Sequence, residues 1–332
     1  MNLVEYKQQL ESKYLPVFYD FEHVKKTFRI KDGMNKFMQM NISCYKVKKH
    51  TKVKKGNGPL KSDYRMIYTV SPELKFIQKW IFDNILSKTS VSDVSHAFVK
   101  GRSLLTNARA HVSHKDTWLL RLDIRNFFES IKSTAIENIF IELGYSKGAS
   151  KALTLLTTYK GRLRQGFLTS PSLSNLYLKN FDSIILSKIN EEITYTRYAD
   201  DLFFSGELTD GFEHYIAKIK QYSGYYLSQK HLRLKKSKTS LQTSNRKRIT
   251  GLYIEDERIV VSKTYIKSIE RELFYCEKYG ISTHLRHSGK LDKMDFYKYI
   301  LGKCSFVKMV EPSKGIELIE RVQKLYETNE VD

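Results

Sequence analysis

The stretch TRYADDLFFSG at residues 196–206 sets two aspartates, Asp200 and Asp201, side by side in a run that otherwise reads as a β-hairpin. Adjacent carboxylates repel. One-residue spacing normally sends neighbours to opposite strand faces, although a tight turn can present both at its tip. Such a pair is tolerated where a divalent cation neutralises it. Asp123 raises the same question, because it ends the apolar run WLLRLDI, where burying a carboxylate is costly unless it is paired or metal-bound. Mg²⁺ takes hard oxygen ligands and is commonly shared between one or two carboxylates and substrate phosphates. Neighbouring strands that bring Asp123 to the hairpin tip would build a two-metal site, with ions roughly 3.5–4 Å apart, suited to phosphoryl transfer. Taken singly, each aspartate also reads as a turn residue or strand-end cap.

Charge points to the same kind of substrate. The 332 residues carry 57 Lys and Arg against 36 Asp and Glu, a formal charge of +21, which suggests a polyanionic partner. Residues 46–61 hold seven lysines and no acid, and residues 214–254 hold ten Lys or Arg and no acid. Either run alone reads equally well as a solvated face or loop. Cys44, Cys276 and Cys304 lack metal-ligand spacing, there is no long apolar run, and the N-terminus has acids where a signal peptide would be basic. The expectation is a soluble protein of a reducing cytoplasm with no membrane partner.

Periodicity predicts helices over residues 1–31 and 72–88, near 133–143 and 149–159, from Ser170-Pro171 onward, and near 211–226. Extended segments are expected within 40–70, from 117, at 193–199 and 202–206, and near 231–242, 247–254 and 257–261. Three helices, near 263–280, 293–309 and 312–328, close the chain, with THLRHSGK as a polar loop between the first two. This order suits an α+β sheet covered by helices, and no phosphate-binding glycine motif is present.

Four motifs in family order resemble those of reverse transcriptases, over about residues 60–262. YADD at 198–201 matches the Y-x-D-D metal motif, and LDIRNFFESI at 122–131 matches the first metal-aspartate motif. RQGFLTSPSLSN at 164–175 matches Q-G-x-x-x-S-P, with Leu168 where many relatives have Pro, a change expected to loosen that turn. YRMIYTVSPELKFIQKWI resembles the fingers segment. Within the family the chain looks most like the retron enzymes: TNARAH at 106–111 fits N-A-x-x-H, and ITGLYI at 249–254 resembles their V-T-G element.

The resemblance implies an RNA-directed DNA polymerase with a right-hand α+β fold of fingers, antiparallel palm sheet and helical thumb. Asp123, Asp200 and Asp201 would be the catalytic, metal-binding residues, holding two Mg²⁺ ions. Arg65 and Lys61 would bind the triphosphate, Phe128 would gate against a ribose 2′-hydroxyl, Gln165 would position the nucleotide, and Lys238 would protonate pyrophosphate. Ser170, Asn107, His111, Thr250, Gly251, Lys263, Lys267, Arg286 and Lys290 would face template or RNA. The implied partners are dNTPs, a cognate structured non-coding RNA primed from a guanosine 2′-hydroxyl, its RNA-linked multicopy DNA product, an antiphage effector protein and a cellular RNase H. The expected organisation is an N-terminal helical extension over 1–35, fingers with the basic loop over 36–115, a palm over 116–261 with finger helices inserted at about 132–170, and an RNA-binding thumb over 262–332. Alternatives are a group II intron or abortive-infection lineage, and a non-catalytic RNA-binding scaffold.

Overall fold

The computed structural model describes residues 2–48, 64–113, 116–289 and 295–329. Its helices are α1 (Leu3–Glu11), α2 (Phe21–Thr27), α3 (Met34–Met40), α4 (Pro72–Asn84), α5 (Leu104–Arg109), α6 (Phe127–Ser130), α7 (Ser133–Leu143), α8 (Lys147–Thr157), α9 (Ser170–Lys188), α10 (Phe212–Gln229), α11 (Lys263–Tyr279), α12 (Ile281–His287), α13 (Phe296–Val310) and α14 (Pro312–Asn329). Its strands are β1 (Ile42–Lys48), β2 (Tyr64–Val70), β3 (Thr117–Asp123), β4 (Thr194–Tyr198), β5 (Asp201–Glu207), β6 (Ser240–Gln242), β7 (Lys247–Ile249), β8 (Leu252–Glu255) and β9 (Arg258–Val260). Three sheets result: the antiparallel pair β1-β2, a four-stranded sheet ordered β4-β5-β3-β6, and an antiparallel β7-β8-β9 meander.

The chain divides into two units, each assembled from separate stretches of sequence. The first comprises residues 1–101, 121–202 and 211–240; the second comprises 102–120, 203–210 and 241–332. In the first unit, α8 packs against α2, α3, α4 and α7, and α9 packs against α7 and α10. Local chemistry sets these helices. Ser71 accepts the Leu74 amide and Pro72 takes the first turn of α4, whose Leu74, Ile77 and Ile81 are buried. Near the N-terminus, Pro16 falls between α1 and α2, and Asp20 caps α2 by accepting the His23 amide, so two short helices replace one.

In the second unit, α11, α13 and α14 share a core of Ile269, Leu273, Cys276, Ile300, Cys304, Val307, Leu318 and Val322. The segment expected as a polar loop is partly helical. Gly280 ends α11 at φ 80, and α12 follows, with Ile281 and Leu285 one turn apart and packed against that core. The strand expected over 231–242 is reduced to β6. Before it, the Arg233 carbonyl and Lys235 amide bond to Arg125 and Asp123, and Lys236–Lys238 form a single tight turn. Gly206 in β5 lies so close to Trp118 that a Cβ would meet the indole at 2.8 Å, which explains glycine there. Among the described residues no helix is long and apolar enough to cross a membrane.

Candidate active site

Six of the seven residues of strand β3 are buried, Arg121 being the exception, and the strand delivers Asp123 at its end, 2% exposed. Asp200 arrives from the turn between β4 and β5. Ala199 takes φ 55 to make that turn, and the Asp200 carbonyl accepts the Ile124 amide at 2.8 Å, tying the turn to the end of β3. Asp123 and Asp200 consequently line one cavity of about 390 Å³, together with Tyr64, Arg65, Phe128, Gln165, Lys235 and Lys238.

Three acids, Asp123, Glu129 and Asp200, and three cations, Arg65, Lys235 and Lys238, line the cavity. Lys238 Nζ donates to Asp123 Oδ2 at 2.5 Å. Even so, burial and then the neighbouring Asp123 charge raise the Asp200 carboxyl above its ordinary value, and Lys238 and Arg65 oppose this only in part. Asp201 is held differently: Arg121 donates to both its oxygens, with contacts of 2.8, 2.8 and 3.0 Å. Burial outweighs that fork and pushes its carboxyl up to about 6. Asp201 is not among the residues lining the cavity, and among the described residues no three His, Cys, Asp or Glu side chains are grouped to hold a metal. The donor set is thus two carboxylates in one cavity, one of them raised by burial and by the charge of the other, which suits a hard divalent cation that completes its shell with water and phosphate oxygens.

The motif residues behave individually. Both Phe127 and Phe128 line the cavity, but Phe127 is a core residue, 4% exposed, whereas Phe128 is half-buried. The Gln165 carbonyl accepts the Tyr68 amide at 2.9 Å. Gly166 then passes β2 so closely that a Cβ would lie 2.0 Å from the Tyr68 carbonyl oxygen, at φ +107. Glycine after Gln165 is therefore a steric requirement that holds Gln165 and Arg65 at one cavity. Leu168 does not merely loosen its turn: its amide donates to Gln78 Oε1 at 3.2 Å, and Gln78 Nε2 donates to the Leu156 carbonyl, bonds a proline could not begin. Ser170 opens α9, its hydroxyl buried and without a hydrogen-bond partner among the described residues.

Other predicted residues belong to the second unit and do not line this cavity. Asn107 is fully buried on α5, and among the described residues neither of its amide atoms has a hydrogen-bond partner. His111 lies beyond the end of α5, 3% exposed, its Nδ1 2.7 Å from Ser205 Oγ. Thr250 and Gly251, at φ 45 and 91, make the turn between β7 and β8, where Thr250 donates to the Leu104 carbonyl at 3.3 Å. Lys263, Lys267 and Arg286 are exposed on α11 and α12. Lys61, Lys290 and most of the 46–61 basic loop lie outside the described residues.

Sequence reasoning missed three groups. Arg121 was visible as the charge interrupting WLLRLDI, two positions before Asp123. Lys235 sits in a run too uniformly basic to single it out. Beneath the turn, Arg197 is fully buried in YTRYAD and donates to both oxygens of Asp182 at 2.7–3.1 Å and to Asn175 Oδ1 at 2.8 Å. Nothing in spacing links 182 to 197.

Comparison with known proteins shows the family. A family model described as reverse transcriptase (RNA-dependent DNA polymerase) matches residues 47–265. The chain belongs to the reverse transcriptase family, with its right-hand α+β polymerase fold, and is an RNA-directed DNA polymerase. Within the family it is of the retron type. Retron Ec86 reverse transcriptase of Escherichia coli is 29% identical over 315 residues, covering 94% of this chain and 91% of that protein. Retron Ec73 reverse transcriptase of Escherichia coli is 34% identical, covering 44% and 50%, and retron Mx65 reverse transcriptase of Myxococcus xanthus is 27% identical, covering 77% and 61%. Among solved structures, telomerase from Candida albicans, in complex with a TWJ fragment of telomeric RNA, is a distant likeness at 12% identity and TM-score 0.44, covering 92% of this chain and 65% of that chain. Reverse transcriptases depend in general on a divalent metal.

Proposed function

We propose that this chain copies a structured non-coding RNA into multicopy single-stranded DNA that stays joined to the RNA, starting from a guanosine 2′-hydroxyl. The observation that carries the reading is the shared cavity of Asp123 and Asp200, where the Asp123 charge helps raise Asp200, lined also by Arg65, Phe128 and Gln165. Asp123 and Asp200 would hold two Mg²⁺ ions, with Asp201 supporting the second. When bound, such ions neutralise phosphate oxygens and stabilise charge developing on the attacking and leaving oxygens.

The remaining work falls to the chain's own side chains. Arg65, with Lys61, binds triphosphate oxygens, the planar guanidinium fork being matched to them. Phe128 fills the space a ribose 2′-hydroxyl would need. Gln165 and Ser170 orient nucleotide and template. Lys238, whose ammonium stands beside Asp123, supplies a proton as pyrophosphate leaves. Asp201, gripped by Arg121, acts from beside the cavity and keeps the turn that carries Asp200 in register.

Asn107, His111, Thr250, Gly251, Lys263, Lys267, Arg286 and Lys290 contribute to holding the RNA. His111 and Asn107, being buried, do so by shaping their loop. A cellular RNase H would remove copied template, and an effector protein would join the complex in antiphage defence in the bacterial cytoplasm. Deep sequencing of nucleic acid co-purified with the chain tests the reading: RNA-linked DNA is expected, and RNA alone from an active preparation would contradict it.

A further inference from the structure

Helix α11 carries four exposed side chains at successive four-residue steps: Lys267, Arg271, Tyr275 and Tyr279. Such spacing sets them in one row on the helix surface. Tyr275 and Tyr279 are 39% and 53% exposed, so they are not core residues. Their rings lie nearly parallel, 21° apart with centroids at 6.2 Å, and His284 of α12 stacks on Tyr275 at 5.6 Å and 14°. Glu272 fixes that imidazole, its carboxylate 2.9 Å from Nε2. Together with Thr283, His287 and Ser288 these rings line a cavity of about 360 Å³.

The charge around this cavity selects its occupant. All three acids in this part of α11 are already engaged within the unit: Glu270 with Lys314, Glu272 with His284 and Glu277 with Arg321. Among the described residues Lys267, Arg271 and Arg286 have no acidic partner. Lys278 lies over the Tyr279 ring at 5.1 Å. Aromatic faces with polar tips, flanked by unneutralised cations, match a nucleobase attached to a phosphate backbone. An apolar peptide would gain little from the cations.

We infer that Tyr275, Tyr279 and His284 form a stacking site for one unpaired base of an RNA whose adjoining phosphates meet Lys267, Arg271 and Arg286. Stacking on such rings is sequence-tolerant, because every base offers a π face, and single-stranded elements of RNA are recognised in this way. The inference rests on the RNA binding proposed above and names where an unpaired base would sit.

The test uses the full chain and a synthetic RNA hairpin with a single-stranded tail containing one 2-aminopurine, beside the same RNA made abasic at that nucleotide. The unaltered chain should quench the 2-aminopurine and bind the base-containing RNA about tenfold more tightly. Tyr275→Leu with Tyr279→Leu, which keeps apolar bulk on an exposed face, should lose both effects. Tyr275→Phe with Tyr279→Phe should keep them. Equal affinity for the two RNAs, or a preference that survives the leucine pair, overturns the inference and leaves the surface to a protein partner. Extension of an annealed primer on an RNA template is measured in the same preparations. Extension without base preference removes the stacking site alone, and loss of both by the unaltered chain removes the underlying reading as well.

Discussion

Asp182 and Asp200 are two acids of one unit, and the chain treats them in opposite ways. Asp182 is fully buried and fully answered: Arg197 donates to both its oxygens, and Tyr195 donates to Oδ1 at 2.8 Å. Asp200 is raised by its burial and by Asp123, with Lys238 and Arg65 offsetting only part. A carboxylate whose charge is closed from within serves the fold. One that no cation bonds among the described residues is kept for something that binds.

The largest expected effect breaks the first half of that contrast. Asp182→Ala should cost about 3–5 kcal/mol in urea unfolding, because it leaves the Arg197 guanidinium buried and unpaired. A cost below about 1 kcal/mol would mean that the pair is incidental. Asp200→Asn should leave the urea midpoint unchanged or slightly raised, since it relieves repulsion with Asp123.

Next in size is selectivity at the cavity. Phe128→Ala should lower the ratio of kcat/KM for deoxy- over ribonucleotides by roughly tenfold or more, the scale of a lost side-chain contact in a pocket. Both nucleotides must be compared on one primer, and an unmoved ratio would return Phe128 to a packing role. Phe127→Ala, by contrast, should act on stability, because Phe127 is the buried ring of the two.

The second unit offers a milder comparison, since among the described residues its Lys263, Lys267 and Arg286 have no acidic partner. Replacing Lys263, Lys267, Arg286 and Lys290 with Gln should weaken RNA binding several-fold and flatten its salt dependence. An unchanged salt slope would deprive these residues of phosphate contacts. The smallest effect is expected from Leu168→Pro, which restores the residue many relatives have. It should cost about 1 kcal/mol, by leaving Gln78 Oε1 without its amide donor. Equal or greater stability would show that the bond is replaceable.

How legible these features were in the sequence depended on how local their causes are. Asp123 and the Asp200 turn could be read because each interrupts an apolar strand, and Gly166 because a motif names it. The grip of Arg121 on Asp201 could not, since it depends on how β3 and β5 are aligned in the sheet. The Asp182–Arg197 pair was equally hidden, a helix and a strand meeting 15 residues apart with no shared period. Helix α12 was missed because its polar residues suggested a loop, while the two apolar side chains that seat it, Ile281 and Leu285, were overlooked. The Tyr275–His284 stack depends on that same unpredicted helix.

The contrast between the two acids rests finally on what Asp200 does. Extension of a DNA primer on an RNA template, followed at saturating dNTP with Mg²⁺, compares the unaltered chain with Asp200→Asn at matched thermal stability. The account predicts a loss of at least about a thousandfold in the variant with its melting temperature unmoved. Near-normal extension by folded Asp200→Asn would contradict it.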